Sequence, residues 1–166
     1  PLGIIGDEQV DTAVIKGKQV HGGQLKAVYA MTLGTQAFWR EELGEVVSPG
    51  IAFGENLTLA GPDLGGRFDE ECVYLGDEYE CNGVRFRVTG ARRPCFRLGM
   101  HLGDAVPRRM NATGWSGWYF EVLQPGVLPT TGATLTLVNR RADMSSVADA
   151  FRRKIAANPQ VPGPRE

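Results

Sequence analysis

Residues 84–97, with the sequence VRFRVTGARRPCFR, combine a strand-like alternation with a cysteine near its end. Apolar and charged side chains alternate over the first residues of this stretch, which predicts a strand with one buried face. Pro94 has no amide donor and restricts the residue before it, so we expect the strand to end near Arg93 and to present Cys95 at its mouth. Neighbouring guanidinium groups favour the thiolate, which is the form that attacks and that binds metals. Cys95 is therefore a candidate for chemistry rather than for packing alone.

The same alternating pattern recurs along the chain. The sequence contains 22 Gly and 10 Pro, which divide it into short segments. Five further segments have the character of strands, at residues 26–30, 56–60, 71–75, 118–123 and 134–138. Many short strands joined by Gly-rich turns predict a mainly β protein built as a closed or partly closed barrel.

Helical patterns are few. The sequence predicts a short helix over residues 35–43 with Thr35 as its N-cap, and another from Asp104 toward Met110. The clearest helix lies near the C-terminus, where Ser146 and the residue three positions later form a capping-box-like pair ahead of an apolar stripe.

A chain of 166 residues suits a single domain with a real core. We divide it into a barrel over residues 1–140, a C-terminal helix within 141–158 packed on or beside the barrel, and a disordered Pro- and Gly-rich tail over 159–166. Pro1-Leu2-Gly3 resembles the interior of a protein more than a natural start, so we expect upstream sequence to be missing.

Charge and cysteine usage exclude several classes of partner. The formal net charge is -1, so no global field attracts nucleic acid or an anionic membrane, and neither is expected as a partner. No apolar run approaches the roughly 20 residues that span a bilayer. The three cysteines are an odd number and none lies in a CxxC pair, which argues against a disulfide framework and a zinc site. A reducing, cytoplasmic location is the simplest expectation.

Two turns carry residues suited to ligand binding. His21-Gly22-Gly23 offers consecutive amide donors beside an imidazole, and Lys26 adds a positive charge three residues later. In Phe53-Gly54-Glu55-Asn56-Leu57, the Asn56 amide can donate and accept simultaneously, which suits the edge of a heterocycle. The alternative for each is an ordinary turn.

Basic and aromatic residues cluster around Cys95 in the sequence. The basic set is Arg92, Arg93, Arg97, Arg108 and Arg109. Guanidinium forks match phosphate geometry, although at least two of these arginines would also suit a solvated face. Downstream, Trp115, Trp118 and Tyr119 could wall a pocket for a flat ring or could belong to the core.

In this order the pieces resemble the MOSC domain family, named for the C-terminal part of molybdenum cofactor sulfurases, and specifically its stand-alone bacterial YiiM-like branch. The resemblance covers roughly residues 3 to 140 and depends on the joint order of several short motifs. These motifs are Gly6-Asp7, His21-Gly22-Gly23 with Lys26, Phe53 to Leu57, Gly76-Asp77, Arg92 with Pro94-Cys95-Phe96, and Thr113-Gly114 with Gly117-Trp118.

The resemblance implies a MOSC-type β-barrel with a few short helices and a C-terminal helix. It also implies a molybdenum cofactor, a molybdopterin that carries molybdenum, with Cys95 as the protein ligand to the metal or as a sulfur-carrying residue. The residues expected to contact the cofactor are His21, Gly22, Gly23, Lys26, Asn56, Arg92 and Arg97.

The activity implied by the resemblance is reduction of N-hydroxylated small molecules, such as hydroxylaminopurines and amidoximes. An external electron-donor reductase would be required, because nothing in the sequence resembles an iron–sulfur or flavin motif. The alternative is a sulfur-carrier or cofactor-binding module with a Cys95 persulfide and no reductase turnover. A nucleic-acid binder that stacks bases on its aromatic loop is a third hypothesis, which the net charge of -1 disfavours.

Overall fold

The computed structural model describes residues 4–5, 14–15, 18–19, 22–44, 53–61, 67–141 and 143–158. Its strands are β1 (Val14–Ile15), β2 (Lys18–Gln19), β3 (Val28–Thr32), β4 (Leu57–Leu59), β5 (Glu78–Cys81), β6 (Val84–Ala91), β7 (Trp118–Gln124) and β8 (Thr136–Asn139). Its helices are α1 (Leu33–Leu43), α2 (Phe96–Leu102), α3 (Ala105–Thr113) and α4 (Val147–Ala157), with a 3₁₀ turn at Gln24–Lys26.

Six of these strands form one mixed sheet in the order β4-β3-β7-β6-β5-β8, and β1 pairs only with β2. Neighbours in the large sheet are antiparallel, except that β3 and β4 are parallel because α1 lies between them in the chain. The sheet forms a half-barrel, which confirms the expected mainly β fold with a few short helices and a helix near the C-terminus.

Most predicted strands appear within a few residues of their expected bounds, whereas the short strands β1 and β2 and the strand β5 of the large sheet are not predicted. Strand β5 nevertheless has a sequence signal. Its signal is the Asn82-Gly83 pair, whose positive φ values of 52° and 81° form the tight turn into β6. Both central residues of such a hairpin turn need a left-handed backbone, which Asn and Gly adopt at low cost. The residues on either side are Glu-Tyr-Glu-Cys and the start of β6, so the turn joins two paired strands.

The strand predicted over residues 71–75 is wrong. The chain forms a helical turn there, because the carbonyl of Asp69 accepts hydrogen bonds from the N–H groups of Cys72 and Val73, at 3.0 and 3.1 Å. That helical turn uses donors that a strand would need for its neighbour. Within the segment only Tyr74 makes a β-bridge, an isolated one with Ser146 just before α4.

Helices α1 and α4 begin at residues whose side chains cap them, whereas the side chain of Asp104 makes no capping hydrogen bond to α3. The Thr32 hydroxyl accepts from the N–H of Thr35, so α1 begins directly after β3 and earlier than predicted. The Ser146 hydroxyl accepts from the N–H of Asp149 at 3.1 Å, as expected for the cap of α4. Helix α2 lies between Cys95 and the helix predicted from Asp104, and the sequence patterns do not predict it. Residues 159–166, where a tail is predicted, lie outside the described ranges.

Strand β3 is buried on both faces and divides the core in two. Val28 and Ala30 face one apolar cluster with the interior of β6 and β7, whereas Tyr29 and Met31 face a second cluster beneath α1, α2 and α3. Burial on both faces explains why the first four residues of this strand, 28–31, are all hydrophobic. Among the described residues, no helix is both long enough and apolar enough to cross a bilayer.

Among the glycines that the structure describes, Gly117, just before β7, has the least room for a side chain. Its φ is +69°, and a Cβ atom there would lie 2.3 Å from the carbonyl oxygen of Ala30 and 2.7 Å from the Tyr29 ring. Only a glycine lets β7 approach β3 this closely.

We therefore expect Gly117→Ala to destabilise the protein by more than about 3 kcal/mol, which urea unfolding would measure. Gly132 is a matched control, because its φ is also +69° but nothing lies within 4 Å of a Cβ there. Gly132→Ala should cost only the left-handed backbone strain of about 1–2 kcal/mol. Equal losses in the two variants would show that the approach of β7 to β3 carries no special cost.

Candidate functional site

Cys95 lies where strand β6 gives way to helix α2. Strand β6 ends at Ala91, the next three residues are irregular, and Cys95 is the residue that precedes the first turn of α2. Its side chain is half-buried, and its carbonyl accepts from the N–H of Leu98 at 3.1 Å. The strand thus ends where the proline predicts, and the thiol stands at the end of the strand.

Tyr119 on β7 is the centre around which three of the predicted site residues meet. The Lys26 Nζ lies 5.8 Å from the centroid of its ring, which is within range of a cation–π contact. Arg92 and Cys95 both interact electrostatically with its phenol. Two separate parts of the chain, the 3₁₀ turn and the segment between β6 and α2, therefore bring an ammonium, a guanidinium and a thiol toward one aromatic side chain.

Contacts of both its backbone and its side chain fix Arg92 over the ring of Tyr29. Its guanidinium carbon lies 4.9 Å from the centroid of the Tyr29 ring, and its N–H donates to the carbonyl of Gly117 at 3.1 Å. The ring centroids of Tyr29 and Tyr119 are 5.6 Å apart, so the two phenols form one wall. The Nη1 atom of Arg92 is buried and, within the described part of the chain, has no hydrogen-bond partner. A buried donor without a partner is costly and needs an explanation.

Both phenols of this wall stay protonated at neutral pH. Burial raises the pKa of Tyr119, the Arg92 guanidinium lowers it in part, and a negative charge on Cys95 raises it further. Burial also raises the pKa of Tyr29, whose hydroxyl donates to the carbonyl of Ser116 at 2.9 Å. The wall therefore presents neutral hydroxyls beside two cationic side chains.

Four other residues predicted to contact the cofactor belong to the two turns that the sequence marks for ligand binding. Gly22 and Gly23 have positive φ values of 72° and 89° and lead into the turn that carries Lys26, whereas His21 lies outside the described residues. Asn56 contacts Tyr29 through the backbone, because its Oδ1 accepts from the Tyr29 N–H at 2.8 Å.

The remaining arginines divide between several places. Arg97 is exposed in the first turn of α2, and Arg93 is exposed with its Nη2 3.5 Å from the carbonyl of Asn158 at the end of α4. Arg109 pairs with Glu42 of α1 at 2.8 Å, and Arg108 is exposed on the same helix, α3. The last two therefore fit the alternative of a solvated helix face.

The aromatic loop contributes more to the core than to the site. Trp118 is fully buried, and Trp115 packs edge-on against Phe38 with ring centroids 4.5 Å apart. The Trp39 indole donates to the carbonyl of Trp115 at 3.0 Å, which fixes the loop against α1. Only Tyr119 of the three faces the predicted site residues.

A buried carboxyl group that no sequence motif marks supports the position of Arg92. Glu70 is fully buried, and its two oxygens accept from the Thr35 hydroxyl and from the N–H of Gly117, each at 2.7 Å. Since the carbonyl of Gly117 accepts from the N–H of Arg92, Glu70 fixes a residue that in turn fixes the backbone of Arg92. Glu70 lies in a run of three acidic residues, which by itself looks like a solvated turn.

The other two cysteines lie elsewhere. Burial, with nearby Asp69 adding to the effect, raises the pKa of Cys72, and burial also raises that of Cys81 on β5. All three thiols are free. Over the ranges that the structure describes, no three His, Cys, Asp or Glu side chains group closely enough to hold a metal ion among themselves.

Comparison with known proteins identifies the class to which this fold and site belong. The family model of the MOSC domain matches residues 17–136, so the chain belongs to the MOSC domain family. That range includes every predicted contact residue and Cys95.

Individual relatives are bacterial. The chain is 33% identical over 149 residues to Protein YiiM of Escherichia coli strain K12, covering 87% of this chain and 60% of that protein. It is 36% identical over 133 residues to the uncharacterized protein YflK of Bacillus subtilis strain 168, covering 80% of this chain and 57% of that protein. The crystal structure of YiiM from Geobacillus stearothermophilus superposes with a TM-score of 0.70 at 34% identity, covering 82% of this chain and 66% of that one. The chain thus spans about three fifths of the length of its curated relatives.

The buried carboxyl group predicts a pH-dependent contribution to stability. Burial raises the pKa of Glu70, while its hydrogen bonds to Thr35 and Gly117 lower it in part. The folded state therefore holds this proton more tightly than the unfolded state does. The resulting stability is fully present below the ordinary glutamate value of 4.5 and is lost as pH rises through the folded-state pKa.

Glu70→Gln should remove this dependence, because the amide stays neutral at every pH. The measured quantity is the difference between the two free energies of unfolding, wild type minus variant, obtained by urea titration. This difference should fall as pH rises from about 5 to about 8. Glu42→Gln is the control, since Arg109 lowers the pKa of Glu42 and its effect is confined to lower pH. A difference that stays constant with pH would contradict the assignment for Glu70.

Proposed function

We propose that this chain binds a molybdenum cofactor, with Cys95 as the protein ligand to molybdenum, and reduces N-hydroxylated small molecules. The observation that carries the proposal is the meeting of Lys26, Arg92 and Cys95 at Tyr119. Membership of the MOSC domain family supports it, since the same chain carries this site and matches that family.

The residues present fit such a cofactor. A thiolate is a soft donor, which suits a molybdenum ion whose other ligands are also sulfur atoms. The Cys95 residue is half-buried, so part of it is accessible to a ligand. The buried Nη1 of Arg92 would gain a partner from an anionic ligand. When bound, the cofactor would supply the two-electron redox chemistry of the reaction.

Each residue of the site then has a distinct task. The Cys95 sulfur would hold the metal, while Lys26 and Arg92 would neutralise the negative charge of the pterin and its phosphate. The Tyr119 phenol, whose pKa is raised by burial, would remain a hydrogen-bond donor at neutral pH. Gly22 and Gly23 would let the backbone approach the ligand closely.

Three further contacts remain proposals. They are His21, Asn56 and Arg97. Asn56 already orders Tyr29 through its Oδ1, so its contribution to binding would also include support for the aromatic wall.

The overall reaction converts an N–OH group to N–H and releases water, with two electrons and two protons consumed. We propose that the electrons come from a separate reductase partner and that the protein works in the cytoplasm. The substrate class, the donor and the location all belong to this proposal and extend beyond the family assignment.

Replacing the thiol should abolish turnover. In Cys95→Ser, reduction of an amidoxime with reduced viologen as an artificial donor should fall by more than about 100-fold, because a metal ligand is lost. Cys72→Ser is the matched control, as that thiol is also half-buried, and it should retain most activity.

If Cys95→Ser turns over the amidoxime at the wild-type rate, this thiol is not the metal ligand that the proposal assigns. If the wild type has no turnover but intact-mass analysis finds an added mass of roughly one sulfur atom on Cys95, the protein is a sulfur carrier and the reductase proposal is wrong.

A further inference from the structure

Helix α4 contacts both of the segments that form the hydrogen bond between Glu70 and Gly117. The first segment is the acidic turn, residues 69–73, which carries Glu70. The second is the entry loop, residues 113–117, which runs from the last residue of α3 to the residue before β7 and carries Gly117. The MOSC family match ends at residue 136, before α4 begins. A helix beyond the family match therefore meets the two segments behind Arg92.

The start of α4 contacts both segments through its backbone. The N–H of Ala148 donates to the carbonyl of Glu70 at 2.9 Å, and the N–H of Val147 donates to that of Val73 at 2.8 Å. The first N–H groups of a helix need acceptors from elsewhere, and here the acidic turn supplies them. On the other side, Ala148 lies close to Gly114 of the entry loop, where a Cβ atom would be 3.3 Å from the Ala148 carbonyl oxygen.

Arg152, one turn further along α4, joins the same two segments through its side chain. Its Nη1 and Nη2 atoms donate to the two carboxylate oxygens of Glu71 in the acidic turn, at 2.7 and 3.0 Å. Nη1 also donates to the carbonyl of Thr113 in the entry loop, at 3.2 Å. Nη2 also donates to Asp149 at 2.7 Å. Because a guanidinium bound through two nitrogen atoms has a fixed orientation, Arg152 fixes Glu71 relative to Thr113.

This connection reaches the candidate site through Gly117. Glu70 accepts from the N–H of Gly117 at 2.7 Å, and the Gly117 carbonyl accepts from the N–H of Arg92 at 3.1 Å. The guanidinium of Arg92 in turn lies over the ring of Tyr29. Isolated ion pairs at a surface usually contribute little, but Arg152 is half-buried and binds three acceptors at once.

We propose that Arg152 is a positioning residue for the site. By joining the acidic turn to the entry loop, it maintains the hydrogen bond between Glu70 and Gly117 and, through Gly117, the position of Arg92. This positioning is independent of the proposed function. That Arg92 then binds the anionic part of a molybdenum cofactor rests on the proposed function.

The test is amide hydrogen exchange, followed by NMR on the full chain prepared without cofactor. In Arg152→Gln, the N–H groups of Gly117 and Arg92 should exchange about tenfold faster, as expected for the loss of charge-assisted hydrogen bonds. The N–H of Val88, on the same strand that leads to Arg92, donates to the carbonyl of Asp77 at 2.9 Å. Its exchange should change by less than about twofold, because the effect is local.

Arg141→Gln is the matched control. Arg141 also binds a carboxylate through two nitrogen atoms, each 2.9 Å from an oxygen of Asp143, but this partner lies only two residues away in the chain. Its loss should change exchange at the two site N–H groups by less than about twofold. Glu71→Gln is a second variant, in case Arg152→Gln does not fold, and it should accelerate the same two N–H groups.

A second readout follows the arginine of the site directly. The guanidinium carbon of Arg92 lies 4.9 Å from the centroid of the Tyr29 ring, so the ring current shifts the resonances of nearby side-chain protons. In Arg152→Gln these resonances should move toward those of an exposed arginine. Unchanged Arg92 resonances would overturn the proposal.

Two exchange results would also overturn it. Equal acceleration at Val88 would show that α4 acts on overall stability, and equal acceleration in Arg141→Gln would show a general effect of charge. Because neither measurement needs a cofactor, the positioning can be established even if the proposed reductase function fails. A failed positioning test would likewise leave the metal content and turnover of the wild type unaffected.

Discussion

The close approach of β7 to β3 at Gly117 is the constraint on which the site depends. The absence of a side chain lets the Gly117 backbone pass against the Ala30 carbonyl, and Glu70 then binds its N–H at 2.7 Å. The carbonyl of the same glycine accepts from Arg92, at the end of the strand that presents Cys95. One glycine thus joins the pairing of two central strands to the position of the arginine in the site.

Electrostatics in the site follow from this arrangement. Glu70 places its carboxyl group behind the wall, where burial raises its pKa, whereas the cations lie on the accessible side around Tyr119. Arg92 stacks on Tyr29, which keeps its guanidinium at the aromatic wall rather than extended into solvent. The result is a thiol, two cations and neutral phenols arranged around one aromatic wall, which suits a soft metal held by an anionic ligand.

Local patterns in the sequence predict much of this fold. Alternation identifies β6 and β7, the proline before Cys95 identifies the end of β6, and Ser146 identifies the start of α4. The strand expected at 71–75 fails because a short-range turn at Asp69 outcompetes strand pairing, which alternation alone does not reveal.

The residues of the site also differ in whether the sequence alone predicts them. Cys95, Lys26 and Arg92 can be selected from residue type and motif order, because their chemistry is visible in the sequence. Glu70 cannot, because its importance depends on a hydrogen bond with Gly117, which lies 47 positions away in the chain (70 to 117). A buried acid in an acidic run looks ordinary in the sequence until the fold brings it to Gly117.

The central claim is that Cys95 binds the metal of a molybdenum cofactor. The most direct measurement is the molybdenum and pterin content, per protein chain, of wild type and Cys95→Ala purified from cells that make the cofactor. The account predicts molybdenum and pterin in nearly equal amounts in the wild type and loss of most of the molybdenum in the variant. Molybdenum content that is the same in both proteins, or at background in the wild type despite active cofactor synthesis in the cells, would contradict it.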